Sequence, residues 1–225
     1  AFLATKISFI NEISRLCDSI NADVSEVRLG MGLDNRINPN FLYPGVGFGG
    51  SCFPKDIKSL QNSFQTNNLK SPLIDSVLEV NNTQRDFFLN KFYNYYKDKN
   101  LKDISVALWG LSFKPETDDI RESISIKIIK ELAPQVEHIH TYDPIAQENS
   151  KTELLAHKNI SYHKSPKECL VNSNCLMLIT EWKEFWITDP DFFSSLSDKV
   201  IFDGRNVLDK KNLEDHDYHY FGIGK

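Results

Sequence analysis

The sequence is short of the residues that build covalent and metal staples. It has four cysteines, at positions 17, 52, 169 and 175, with no CxxC pair and no compact Cys/His spacing. That speaks against a disulfide framework and a structural zinc site and suits a reducing, cytoplasmic setting. No apolar run approaches the roughly 20 residues a membrane-spanning helix needs, because Lys6, Asn11, Glu12 and Arg15 interrupt even the apolar opening segment. Neither a signal peptide nor a membrane partner is expected. Positive charge is not in excess: 26 Lys and Arg stand against 31 Asp and Glu, a net charge of −5, which offers phosphate backbones no basic surface and speaks against nucleic acid as a partner. An initiating Met is lacking as well. The chain opens at Ala1 directly on a helical pattern, so an upstream segment is expected to be missing.

What is present reads as ordinary globular protein. With 225 residues, 40% hydrophobic and 25% charged, the chain can bury two modest cores. Apolar spacing predicts a helix over residues 2–20, and a second one capped by Asp23 with Glu26 three residues on, ending at Gly30 and Gly32. Residues 34–53 are loop-like. A third helix follows Pro54, and Pro72 opens a helix of about 25 residues whose aromatics suggest packing against another domain or subunit. Beyond Lys102 the period changes. Strands at 104–110, 138–143, 160–163, 175–180 and 200–202 alternate with helices at 123–132 and 166–171, which predicts a mostly parallel α/β sheet covered on both faces.

The segment Gly45 to Asp56 reads GVGFGGSCFPKD. Its glycines let backbone approach a ligand, and it ends where Pro54 marks a helix start. Cys52 therefore sits at a helix N-terminus, where the orphan N–H groups, the macrodipole and Lys55 favour a thiolate. Asp56, four residues on, shares its face. A nucleophile beside a carboxylate suits attack on a carbonyl followed by base-assisted hydrolysis. Taken alone, a cysteine in a glycine-rich turn is more often a small core residue.

Context changes that balance. GFGGSCFPKD resembles the active-site signature of the UDP-glucose/GDP-mannose dehydrogenase family, and residues 32–37 with Phe41-Leu42 resemble its substrate loop. Further matches follow in the family's order: Gly110 to Pro115, Thr117 to Ser123, Tyr142-Asp143-Pro144, Thr180-Glu181-Trp182 and Asp203-Gly204-Arg205. Ser51 and Phe53 resemble the UDP-glucose enzymes, since the GDP-mannose enzymes carry Leu after the cysteine and the N-acetylated sugar enzymes a GGHC-type loop.

The resemblance implies an oxidoreductase that takes the sugar C6 alcohol to a carboxylate in two NAD⁺-dependent hydride transfers. It implies Cys52 as the nucleophile, through a thiohemiacetal and a thioester, and Asp56 as the assisting carboxylate. Arg36 would reach a neighbouring subunit's substrate, which implies a homodimer. Phe41, Leu42, Tyr43, Phe48 and Gly49 would line the glucose and phosphate path. Lys114 and Arg205 would contact the UDP end, and Lys55 and Arg121 the cofactor. The family's GxGxxG fingerprint is absent, as are its catalytic Lys and Asn, which lie just ahead of the segment matched by Ala-Phe-Leu-Ala. The NAD site is therefore expected mainly in a missing N-terminal domain.

The fold implied is an N-terminal all-helical dimerisation domain, residues 1–100, followed by a Rossmann-like parallel-sheet UDP-sugar-binding domain, residues 103–225. Two rivals stand beside the enzyme: a non-catalytic dimerisation and UDP-binding module, and a Cys-dependent hydrolase, which needs a His base although no His precedes position 138. The alternative substrates are another UDP-hexose or GDP-mannose. No metal is expected: His138 and His140 share a strand face without a third ligand nearby, and the acidic, His-containing tail at 214–219 reads as solvated surface. Cys17, Cys169 and Cys175 read as core.

Overall fold

The computed structural model describes all 225 residues. Its first part is helical: α1 (Phe2–Ile20), α2 (Val24–Gly32), α3 (Cys52–Thr66) and α4 (Pro72–Tyr95). The local signals act as expected. Asp23 caps α2 by accepting from the Ser25 N–H at 2.7 Å, Pro72 occupies the first turn of α4, and α1 ends on Asn21 in the left-handed conformation. None of the helices is long and apolar enough to cross a membrane.

The second part is a sheet of six parallel strands, β1 (Ser105–Trp109), β2 (His138–Tyr142), β3 (Ile160–Tyr162), β4 (Cys175–Leu178), β5 (Val200–Asp203) and β6 (His219–Phe221), in the order β3-β2-β1-β4-β5-β6. Helices α5 (Ile124–Leu132), α6 (Gln147–Glu153), α7 (Pro166–Leu170) and α8 (Lys210–Glu214) fill connections between strands. This is the doubly wound order, with the chain reversing direction between β1 and β4. Alternation along the strands feeds two cores. Val106 and Leu108 join Ile128, Ile129 and Phe202 on one face, while Ala107 and Trp109 join Leu176, Phe185 and Leu213 on the other.

Three elements have no counterpart in the sequence reading: α6, α8 and β6. Glu214, Asp215, His216, Asp217 and His219 are exposed, as the reading of the tail as solvated surface expects, but His219 also opens a strand whose Tyr220 is buried. A three-residue edge strand led by a polar residue carries too little alternation to be recognised.

The long helix α4 bridges the two parts. Its first half packs on α1, where the Ser8 hydroxyl donates to the Val77 carbonyl at 2.9 Å. Its second half drives Phe88, Leu89 and Phe92 into the sheet core, with Phe92 and Phe202 ring centroids 5.7 Å apart. Phe88 and Phe92 are fully buried within this one chain, so their burial says nothing of a second subunit.

Two buried carboxylates organise the loops at the carboxyl edge of the sheet. Asp143 accepts from the N–H groups of Leu111, Ser112, Ile145 and Ala146 and from the Trp182 indole. Asp203 accepts from Arg205, Val207 and Leu208 N–H groups and from the Tyr220 hydroxyl. Burial still pushes the Asp203 carboxyl above its ordinary value, with those donors pulling the other way.

Near the opposite sheet edge, His163 supplies the third imidazole that sequence spacing did not reveal. His140 Nδ1 lies 2.9 Å from His163 Nε2, and His138 Nε2 lies 2.7 Å from the Ser161 hydroxyl. The three do not form a metal-holding group. Burial, then the neighbouring imidazoles, lowers His140 from 6.5 to about 4. Because the folded value is depressed, the neutral cluster's contribution is fully present above about pH 6.5 and lost as pH falls toward 4. Glu137 and Glu168 oppose the shift at His138 and His163. The thermal midpoint should therefore drop across this window, and His140→Gln should flatten the drop. Parallel pH profiles for the two proteins would refute the linkage.

Candidate active site

Residues 45–50 run buried between the helices and the carboxyl edge of the sheet, and Ser51 after them is half-buried. Side-chain amides pin the loop from the helical side. Asn11 Oδ1 accepts from the Gly45 N–H at 2.9 Å and Gln84 Nε2 donates to the Gly45 carbonyl at 2.9 Å. Asn81 brackets Phe48, accepting from its N–H at 2.7 Å and donating to its carbonyl at 3.1 Å. Arg15 locks Gln84 in turn, its Nε donating to Oε1 at 2.8 Å.

From the sheet side the loop after β1 closes in. Gly50 donates its N–H to the Arg121 carbonyl at 2.9 Å, and Glu122, next in sequence, adopts the left-handed conformation with φ 53°. A Cβ at Gly49 would stand 2.3 Å from the Glu122 carbonyl oxygen, and one at Gly50, whose φ is +80°, would meet the Phe113 ring at 2.7 Å. Only glycine fits at either position.

This frame delivers Cys52 to the first turn of α3 as the one exposed thiol of the four. Burial raises the other three above their ordinary value, Cys175 to about 12, which leaves them poor nucleophiles near neutral pH. The Ser51 hydroxyl lies 3.8 Å from Cys52 Sγ. Asp56 and Lys55 form a surface ion pair at 3.6 Å, with side chains 61% and 76% exposed, so each is free to be re-paired at little cost.

Beside the loop opens a cleft of about 350 Å³, lined among others by Phe41, Tyr43, Phe48, Gly49, Phe53, Phe113, Lys114, Glu181 and Arg205. Cys52 is flanked along the chain, on both sides, by segments that line it. Arg205 Nε donates to the Ile179 carbonyl at 2.7 Å, which leaves the outer guanidinium nitrogens for the cleft. Phe41 holds φ at 63°, a left-handed conformation that is strained for a bulky side chain and costs on the order of 1–3 kcal/mol.

Six of the expected substrate residues thus share one cleft: Phe41, Tyr43, Phe48, Gly49, Lys114 and Arg205. Leu42 does not join them. It is 2% exposed and packs with Ile10, Cys17 and Val24, because the turn at Phe41 sends alternate side chains inward. Arg36 stands apart as well, 89% exposed and paired with Asp34 at 2.6 Å. Sequence reasoning passed over the frame residues Asn11, Asn81 and Gln84, and over Glu181. The signal available was the polar break Asn81-Asn82-Thr83-Gln84 inside an apolar stripe.

The doubly wound sheet does not itself offer a dinucleotide site. Leu111 and Ser112 N–H groups, which would face a pyrophosphate after the first strand of such a fold, donate to Asp143 at 2.7 and 3.1 Å. Asp143, the acid at the end of the second strand, is fully buried and cannot reach a ribose. Of the two residues expected at a cofactor, Lys55 pairs with Asp56, and Arg121 holds Asp119 bidentately, 69% exposed. They are rim cations able to meet an anion, not a cofactor pocket.

Comparison with known proteins agrees with this geometry. Residues 1–83 match the central domain of the UDP-glucose/GDP-mannose dehydrogenase family, and residues 107–210 match that family's UDP binding domain. The chain is 36% identical over 225 residues to UDP-glucose 6-dehydrogenase of Rickettsia bellii (strain RML369-C), covering 100% of this chain and 51% of the relative. It is 39% identical over 226 residues to UDP-glucose 6-dehydrogenase YwqF of Bacillus subtilis (strain 168), covering 100% and 50%. A UDP-glucose dehydrogenase structure from the archaeon Pyrobaculum islandicum superposes with a TM-score of 0.84 at 29% identity, over 99% of this chain and 48% of that one. The chain thus spans about half the length of the relatives it matches. With both of its parts matched in order, it belongs to the UDP-glucose/GDP-mannose dehydrogenase family.

Proposed function

We propose that this chain forms the thiol-bearing and UDP-binding part of an NAD-dependent UDP-glucose 6-dehydrogenase, which oxidises UDP-glucose to UDP-glucuronate in two hydride transfers. The observation that carries the reading is an exposed Cys52 presented on a rigid glycine loop next to a cleft with two cations and several aromatic faces. Lys114 and Arg205 suit diphosphate oxygens. Phe41, Tyr43 and Phe113 suit a planar base and a sugar ring. In this reading residues 1–100 form a dimerisation domain and residues 103–225 the UDP-sugar domain, with Arg36 reaching across the dimer. Residues 51 and 53 favour glucose over another UDP-hexose or GDP-mannose.

The chemistry assigned to the chain begins at the aldehyde. Cys52 Sγ adds to the carbonyl carbon and the oxygen gains a proton, giving a thiohemiacetal. NAD⁺, when bound, supplies the hydride sink for both oxidations. Loss of a hydride from that carbon and of the hydroxyl proton leaves a thioester on Cys52. Water then adds, its proton accepted by Asp56, and the thiolate departs as the carboxylate forms. Lys55 and Arg121 would face the cofactor's charged end. Since no cofactor pocket is built from these residues, the chain by itself should bind UDP and UDP-glucose without oxidising the sugar.

Four outcomes test this. In the full-length enzyme Cys52→Ser should abolish release of UDP-glucuronate while UDP-glucose binding persists, because a serine hydroxyl is scarcely ionised near neutral pH. Normal turnover would exclude the covalent route. For the chain alone, calorimetry should find UDP binding and almost no NAD⁺ binding. Lys114→Ala should weaken UDP about tenfold, at the low end of the roughly 1.5–3 kcal/mol typical of bonds to charged groups. Tight NAD⁺ binding without a response to UDP would overturn the assignment. Finally, Asn81→Ala should cost about 1–3 kcal/mol of stability by stranding the Phe48 backbone groups, and should lower kcat more than it raises KM. An unchanged kcat would show that the loop does not need this bracket.

A further inference from the structure

Glu181 places a negative charge in a cleft otherwise suited to anions. It lines the same cleft as Lys114 and Arg205. Its neighbours in the chain are held firmly, the Thr180 hydroxyl donating to the Ser112 carbonyl at 2.7 Å and the Trp182 indole to Asp143 at 3.2 Å. Glu181 Oε2 is buried and has no hydrogen-bond donor. Arg205 Nε lies 3.1 Å from it, but that N–H is directed to the Ile179 carbonyl at 2.7 Å, so the contact is ionic without a hydrogen bond. A buried acceptor left without a donor is costly, and a carboxylate beside a bound diphosphate adds repulsion. Both costs are relieved if the ligand brings a donor of its own.

We infer that Glu181 is a specificity-determining residue, accepting a hydrogen bond from a hydroxyl or imide N–H of the nucleotide sugar and so selecting a nucleoside-bearing diphosphate over a bare one. The inference rests on the reading of this cleft as a UDP-sugar site. Lys114 and Arg205 against one carboxylate leave a single net positive charge, which is enough to attract the diphosphate but not to hold any polyanion indiscriminately. The terminal carboxylate torsion is broad, so a small rotation turns either oxygen to the ligand.

Calorimetry of the unmodified chain, Glu181→Ala and Glu181→Gln with UDP and with inorganic pyrophosphate, at one ionic strength, separates the possibilities. Glu181→Ala should weaken UDP about tenfold or more while pyrophosphate binding holds or tightens. Glu181→Gln, which keeps an acceptor oxygen, should recover most of the UDP affinity. The Ala variant gives up the ionic contact with Arg205 but strands no hydrogen-bond donor, so its thermal midpoint should stay close to the parent's. If Glu181→Ala tightens both ligands equally, the residue is only a counter-charge. If it weakens both equally, it acts by holding Arg205. Either result overturns the inference while leaving the UDP reading intact. An unmodified chain that binds pyrophosphate but not UDP would sink that reading, and this inference with it.

Discussion

The structure depends on how closely residues 45–51 are held between two separately packed bodies. On one side three amide side chains from α1 and α4 satisfy the backbone of Gly45 and Phe48. On the other, the loop after β1 comes within hydrogen-bonding distance of Gly50 and leaves no room for a Cβ at Gly49. Buried backbone groups must be paired somewhere. Here the pairing ties the register of the loop to both bodies, so the position of Cys52 follows from the packing of α4 on the sheet as much as from its own helix.

α4 can carry that role because its two halves bury different things. Val77 belongs to a small cluster with Ala4, Phe48 and Ile57, whereas Phe88, Leu89 and Phe92 enter the sheet core. Between them lie Asn81 and Gln84, polar residues on a buried stretch. Such residues weaken a helix that has nothing to bond, but here they meet backbone that has no other partner. The same economy appears at the sheet edge, where Asp143 and Asp203 satisfy runs of N–H groups that an open loop would leave to water.

Most of the fold was legible because its elements are punctuated. Asp23, Pro72 and Ser123 mark helix starts at or within a residue of the boundary, and the apolar runs at Val106 and Cys175, too short for helices, form strands buried along their whole length. What was not legible is what depends on three-dimensional partners. β6 is defined by its register with β5, and His163 by the pairing of β2 with β3. Leu42 looked like its neighbours in the loop, yet the left-handed turn at Phe41 sends it into the core. Of the candidate site, the motifs named Cys52 and both cations, whereas Asn81, Gln84 and Glu181 have partners 33, 39 and 24 positions away in the chain.

The frame also bears on how an exposed thiol could be selective. A thiolate in open water would react with many electrophiles. In the proposed function Cys52 need not be buried to avoid this, because the ligand is held first: the cleft fixes the nucleotide end through Lys114 and Arg205, and the rigid loop sets the distance from that end to the sulfur. Specificity then comes from geometry, since a group unable to occupy the cleft meets Cys52 only by random encounter, at a low effective concentration. Such selectivity requires a loop that does not flex. The three amide brackets, the contact of Gly49 with the Glu122 carbonyl and the strained backbone at Phe41 and Glu122 all act in that direction, each fixing one more point on the path from cleft to sulfur.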